Sequence, residues 1–234
     1  MPGRRTLLLK ISGEALKAAD GILDAGILAR VCAEIAGAVQ HGKRIGMVVG
    51  GGNIVRGASL SAGAADPTAG DYMGMLATLI NAIALREGLL AAGCRAVVVG
   101  PHAIPNVCAG YQRAAVLAEL AAGAVVVFGG GTGHPFLTTD TTAALRGAEI
   151  GADEVLKASN VAGVYDRDPR KDPAAKLFAS LSFDQCLAGR YAVMDQTAFT
   201  LCRDRKLPIR VFDMHPPGAI AAALGDQPPG TLIS

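Results

Sequence analysis

The chain has 234 residues, 22 Lys and Arg against 20 Asp and Glu, and a 51% hydrophobic share. That length makes one large domain or two small ones with a core that needs no staples, and the hydrophobic share excludes a mostly disordered chain. The near-balanced charge argues against a nucleic-acid-binding surface and against an acidic tail.

Thr6 to Ile11 reads as a buried strand ending at Ser12-Gly13. Asp24 is placed to cap a helix with Ile27, Leu28, Val31, Ile35 and Val39 on one stripe, ended by His41-Gly42. Ile45 to Val49 is a second strand, broken by Gly50-Gly51-Gly52-Asn53; Ala58 to Gly70 reads as loop. Asp71 opens a long helix to about Ala92. Arg95 to Val99 is a third strand, Tyr111 to Leu120 a helix, and Ala124 to Phe128 a fourth strand running into Gly129-Gly130-Gly131-Thr132-Gly133. Thr138 or Asp140 begins a helix to about Ile150, and Glu154 to Leu156 is a short strand ending at Lys157. Residues 163–173 are turn-rich. Helices follow near 183–187 and 196–205, then a strand at Ile209 to Phe212 and a helix at Pro217 to Leu224.

Strands alternating with helices, and apolar runs without polar interruption, predict an α/β architecture: a mostly parallel sheet with helices on both faces. No linker divides the chain, so one domain over 1–234 is expected. Its turn-rich segment marks a second lobe, with about 1–152 in the first and about 153–234 in the second.

The five cysteines lie far apart without a CxxC pair, which reads as small buried hydrophobes in a reducing cytosol. The four histidines show no close ligand spacing, so no metal site is expected. The apolar stretch before Ser12 is too short for a signal-peptide core, and no run of apolar residues is long enough to span a membrane. A cytoplasmic protein without membrane or nucleic-acid partners is expected; the absence of Trp agrees with the latter.

Three strand ends carry polar and glycine clusters, where open parallel sheets bind ligands. In Lys10-Ile11-Ser12-Gly13-Glu14, strand alternation puts Lys10 and Ser12 on one face. A lysine amid leucines is costly to bury without an anion, so it either binds phosphate or snorkels at an edge. In Gly50-Gly51-Gly52-Asn53-Ile54-Val55-Arg56, successive glycines bring N–H groups near an oxyanion that Arg56 can clamp; the plainer reading is a tight turn with a surface arginine. In Gly129 to Asp140, Thr138, Thr139 and Asp140 fall at a helix N-terminus, which favours anions; Asp140 could also serve as a simple N-cap. Neither GxxxxGK[ST] nor GxGxxG is complete, which excludes a P-loop enzyme and an ordinary dinucleotide dehydrogenase.

LLLKISGEAL at 7–16, GGGNIVRG at 50–57, GDYMGMLATLINAIAL at 70–85, GTGHPFLTTDTTAALRGAEIGAD at 131–153 and MDQTAFTLCRDRKLPIRVFDM at 194–214 resemble the amino acid kinase family, and within it the uridylate-kinase branch. The resemblance runs collinearly over nearly the whole chain. It implies a three-layer αβα sandwich around an open, mostly parallel sheet, and transfer of the ATP γ-phosphoryl group to UMP, with Mg2+ accompanying ATP.

By this resemblance Lys10 and Lys157 neutralise the transferring phosphoryl group and Asp140 orients them. Ile11, Ser12 and Gly13 belong to the ATP-phosphate loop. Gly52 and Arg56 match the phosphate region between donor and acceptor, and Ser159, Tyr165 and Asp168 the adenosine pocket. Gly51, Asp71 and Thr132, Gly133, His134, Pro135, Phe136, Leu137, Thr138 and Thr139 match the UMP site, with Asp71 on the ribose hydroxyls and Thr139 on the phosphate. Tyr165, Asp168 and Asp195 also have plain readings, as turn residues and, for Asp195, as a helix N-cap. The resemblance further implies a homohexamer, UTP inhibition and GTP activation. The chain departs from many relatives at His134, where they carry Asn, at Ser159-Asn160, and in a shortened segment after Leu16 where a glycine-rich stretch is associated with GTP control. A sibling kinase acting on a small carboxylate, or a storage protein on the same fold, are the competing readings; Asp71 and the 131–140 loop favour a nucleotide acceptor, and the retained lysines favour catalysis.

Overall fold

The structure, a computed structural model, describes residues 5–55 and 66–234. Among the described residues, nine strands form one sheet in the order β4-β3-β5-β2-β1-β6-β8-β9-β7. They are β1 (Thr6–Ile11), β2 (Arg44–Val49), β3 (Ala96–Gly100), β4 (Ala109–Gly110), β5 (Val125–Phe128), β6 (Glu154–Ser159), β7 (Ser180–Leu181), β8 (Ile209–Asp213) and β9 (Thr231–Ile233). Strand β9 runs antiparallel to β8, and the other pairs are parallel. The helices are α1 (Ala25–Gln40), α2 (Pro67–Ala91), α3 (Arg113–Ala121), α4 (Thr139–Ile150), α5 (Phe183–Ala188), α6 (Gln196–Asp204) and α7 (Ala219–Leu224).

Strand alternation divides the core into two layers. Leu7, Leu9, Ile11, Met47 and Leu156 pack against α1, α2 and α7. Leu8, Val48, Phe128, Val155 and Val211 face the other way, against α3, α4, α5 and α6. The expected αβα sandwich is the observed fold. Helix α2 is long and apolar enough, by length and composition alone, to cross a membrane, yet Leu79, Ala82, Leu85 and Leu89 pack into the sheet core. The burial expected of the cysteines is observed for four of them: Cys32, Cys94, Cys186 and Cys202 are buried thiols, and Cys108 is half-buried. Burial pushes the Cys202 thiol up to about 12, with the carboxylates of Asp140 and Asp195 adding to it.

Three elements differ from the sequence reading in ways that position the site. Helix α2 begins at Pro67, not Asp71, because Asp66 caps it through Thr68 N and proline takes its first turn. Asp71 therefore sits one turn inside the helix. Strand β6 continues past Lys157 to Ser159, so Lys157 lies within the strand although its polar side chain interrupts the apolar run. A single 3-10 turn, Gly13–Leu16, follows β1. Asp24 caps α1 as expected, accepting from Ile27 N.

Candidate active site

Strands β2, β5, β3 and β4 lie to one side of β1, and β6, β8, β9 and β7 to the other. The sheet's direction of growth thus reverses at β1, and the crevice at such a reversal is where parallel sheets hold ligands. Lys10 on β1 and Lys157 on β6 are register partners there. Both point to the α4 face, as do Leu8 and Val155.

Two ammonium groups side by side would repel. Asp140, in the first turn of α4, lies between them. Lys10 Nζ is 2.8 Å from Asp140 Oδ1, and Lys157 Nζ is 2.7 Å from Asp140 Oδ2. Lys157 also donates to the Val193 carbonyl at 2.6 Å. The three side chains are largely buried, at 10%, 19% and 13% exposure. Burial pushes the Asp140 carboxyl up, but the charges and hydrogen bonds of Lys10 and Lys157 outweigh that and hold it below the usual carboxylate range. The cluster keeps one net positive charge facing outward.

That charge opens onto a cavity of about 270 Å3 lined by Lys10, Ser12, Lys157, Ser159 and His215. Ser159 and Lys157 also border a neighbouring cavity of about 680 Å3, where Tyr165 and Asp168 lie. Asp168 Oδ1 accepts from Arg170 N at 3.0 Å, the turn-forming contact its Asp-Pro context suggests. Ile11 is fully buried in the core, so its side chain does not reach either cavity. Gly13 allows a close approach: a Cβ there would fall 2.6 Å from Gly50 O, so the loops after β1 and β2 touch backbone to backbone.

On the other side of α4's first turn is a third cavity, of about 160 Å3. Gly51, Gly52, Asp71, His134, Leu137, Thr138 and Thr139 line it. Asp71 Oδ2 accepts from Phe136 N at 2.7 Å and so ties α2 to the loop. Pro135 and Phe136 stand outside the lining, Phe136 being 73% exposed. Gly133 faces a separate apolar pocket beside Tyr72 and Leu79, and Thr132 Oγ1 accepts from His134 N within the loop. Arg56 lies outside the described residues.

Sequence reading missed several supports. Asn53 and Asn81 form a buried amide pair: Asn81 Nδ2 donates to Asn53 Oδ1 and to Gly50 O, both at 2.7 Å. Asn53 Nδ2 donates to Asn81 Oδ1 at 3.1 Å and to Ile22 O at 2.8 Å. The glycine loop after β2 is therefore held by amides, and Gly50 N is already committed to Ile11 O. Thr78 Oγ1 accepts from Gly130 N at 2.7 Å and fixes the loop after β5. Asp195 caps α6 through Ala198 N at 2.9 Å, as its plain reading has it. It also accepts from Thr138 Oγ1 and Thr141 Oγ1, which locks the first turn of α4 in place. Thr138 in turn caps α4, accepting from Asp140 N and Thr141 N. A Ser/Thr/Asp-rich helix start was the visible signal; the partner across the fold was not.

Residues 5–213 match the profile of the Amino acid kinase family. The chain is 46% identical over 233 residues, 99% of its length and 96% of the relative's, to a uridylate kinase from Aeromonas salmonicida (strain A449). Its structure is similar to that of a UMP kinase from Bacillus anthracis (TM-score 0.94, 33% identity, 98% of this chain and 96% of that one). It is similar also to a UMP kinase from Ureaplasma parvum (TM-score 0.95, 31% identity, 99% of each chain). The chain belongs to the amino acid kinase family and is an enzyme of the phosphotransferase class.

Proposed function

We propose that the chain is a cytoplasmic UMP kinase of pyrimidine nucleotide biosynthesis, moving the γ-phosphoryl group of ATP to UMP and giving UDP and ADP. One observation carries this reading. The first turn of α4 presents Thr138 and Thr139 to one cavity, while Asp140, the next residue, holds the two lysines that line the other. A phosphoryl group passing between the cavities travels along a helix N-terminus and past a fixed cationic pair. Phosphoryl transfer asks mainly for positioning and charge neutralisation, and this arrangement supplies both.

In this reading the donor's phosphates occupy the cavity of Lys10, Ser12 and Lys157, and its nucleoside the adjoining cavity of Tyr165, Asp168 and Ser159. Ile11 and Gly13 contribute backbone only. The acceptor occupies the cavity of Gly51, Asp71 and His134 to Thr139, with Thr132 and Gly133 shaping the loop; Gly52 faces the donor, and the resemblance assigns Arg56 to the phosphate region between the two. The acceptor's phosphate is already anionic near neutral pH, so no general base is required, and transfer is direct. The donor lobe is then roughly 153–234 and the acceptor lobe 1–152.

Mg2+ fits as a companion of ATP and not as a resident ion. Asp140 has its two oxygens on lysines, and among the described residues no cluster of three His, Cys, Asp or Glu could hold a metal. Mg2+ binds readily through substrate phosphates, with few protein ligands; there it would offset phosphate charge. Assembly into the homohexamer that the resemblance implies would cover Tyr72, Leu76 and Ile80 of α2, which stand 50–57% exposed along one helix. UTP inhibition would follow from UTP occupying the same cavity as the acceptor.

The test is ADP release from MgATP with UMP, CMP, dUMP, N-acetylglutamate, glutamate or carbamate as acceptor, each with and without GTP. Turnover with UMP supports the reading; turnover only with a small carboxylate overturns it.

A further inference from the structure

The donor cavity has one wall that the reaction described above leaves unused. His215, two residues beyond β8, lines it opposite Ser12. Met214 N donates to Ser159 O at 3.1 Å, extending the pairing of β8 with β6 and carrying His215 to the carboxyl edge of the sheet. The ring is anchored from behind. Its Nδ1 is 2.8 Å from Asp213 Oδ1, which also accepts from His215 N at 3.0 Å. A carboxylate only accepts, so the proton of this bond sits on Nδ1 and Nε2 is the free nitrogen. Among the described residues Nε2 has no hydrogen-bond partner. The side chain is 53% exposed.

The charged groups packed around this corner are Lys10 of β1, Glu14 of the 3-10 turn, Lys157 of β6 and Asp213 itself. Arg30 of α1 donates to the Met214 and Pro216 carbonyls, and Glu34 accepts from Gly218 N. Arg170 approaches Asn160 on the far rim.

We propose that His215, held in place by Asp213, is a third contact for the phosphate chain of the donor nucleotide, alongside Lys10 and Lys157. This rests on the donor cavity assigned above. The assignment to phosphate, and not to the nucleoside, follows from the lining: His215 shares its cavity with both lysines and is absent from the one that holds Tyr165 and Asp168. Phosphate oxygens accept, so the contact is made by the imidazolium form, which donates from Nε2 to phosphate and from Nδ1 to Asp213. A Mg2+ contact fits less well, since that ion takes oxygen ligands. Asp213 acts through His215 and is a positioning residue.

The experiment is calorimetric binding of MgATP, MgADP and adenosine to the full chain and to His215→Ala and Asp213→Asn, without an acceptor. His215→Ala should weaken MgATP and MgADP about fivefold, the scale of one partly exposed charge-assisted hydrogen bond, and leave adenosine unchanged. Asp213→Asn, whose amide oxygen still accepts from Nδ1, should shift the same ligands in the same direction by less. In turnover, His215→Ala should raise KM for MgATP by at least the same factor with KM for UMP retained. MgATP affinity unchanged in His215→Ala, or adenosine weakened as much as MgATP, would overturn the proposal while leaving the UMP kinase reading intact. A parent chain that binds no MgATP would overturn both. Should His215→Ala fail to fold, His215→Leu, which has no donor, carries the same comparison.

Discussion

Lys10 and Lys157 occupy register-paired positions on adjacent parallel strands, and the carboxylate of Asp140 bridges them at 2.8 and 2.7 Å. Neither lysine is tolerable there alone. Each is largely buried beside a like charge, and the carboxylate that settles both comes from a helix on the facing layer. Sheet register, strand alternation and the start of α4 must all be right for the three to meet.

Lys10→Ala should lower kcat by about two to three orders of magnitude, the usual scale for removing one preorganised group that stabilises developing charge. The fold should persist, because Lys157 still pairs with Asp140 once the Lys10 ammonium is gone. Steady-state kinetics together with thermal unfolding checks both halves; near-parent kcat would remove the role assigned to Lys10.

Asp140→Asn should be less stable by roughly 3 kcal/mol at neutral pH, since it leaves two buried ammonium groups without their counter-charge. The pH dependence has a definite sign. The Asp140 carboxyl is held below its ordinary range in the folded chain, so its contribution is complete above the unfolded carboxylate range. It is lost as pH falls through the lower, folded value. The stability gap between parent and Asp140→Asn should therefore narrow on acidification through the carboxylate range. A gap that stayed constant in acid would contradict the bridging role.

Asp71→Ala should raise KM for UMP at least tenfold while KM for MgATP changes less than twofold. Asp71 lines the acceptor cavity and holds Phe136 N, so both a ligand contact and the loop anchor are lost. Equal shifts for the two substrates would mean that the cavities are assigned the wrong way round.

Much of this architecture was readable from the residues. The runs Thr6 to Ile11 and Ala124 to Phe128 have the unbroken apolar character of strands covered on both faces, and Asp24 with the Ile27–Val39 stripe marked α1. The short strands β4, β7 and β9 left no signal, since two or three residues cannot establish a period. Strand β6 looked shorter than it is because Lys157 and Ser159 face the site. The resemblance singled out Lys10, Lys157 and Asp140, but the register that pairs the two lysines is a property of the folded sheet. So is the Asn53–Asn81 pair, 28 residues apart in the chain. Asp195 was legible as a cap, yet its hold on Thr138 and Thr141 spans more than fifty residues.

Asn81→Ala should destabilise the chain by about 2 kcal/mol, because it strands the Gly50 carbonyl and the Asn53 amide in the core. The glycine loop it holds lines one cavity through Gly51 and Gly52 and touches Gly13 after β1 through Gly50, so both KM values should rise together. Chemical denaturation and two-substrate kinetics test this; a rise in one KM alone would place the loop at one site only.

Direct transfer from one cavity to the other past the Lys10–Asp140–Lys157 cluster leaves no phosphoryl group on the protein. Incubating the purified chain with UMP and MgATP labelled in the γ-phosphoryl group, then separating protein from nucleotides, should give label in UDP and none bound covalently to the protein. Labelled protein with slow release to UMP, or label that never enters UDP, would contradict it.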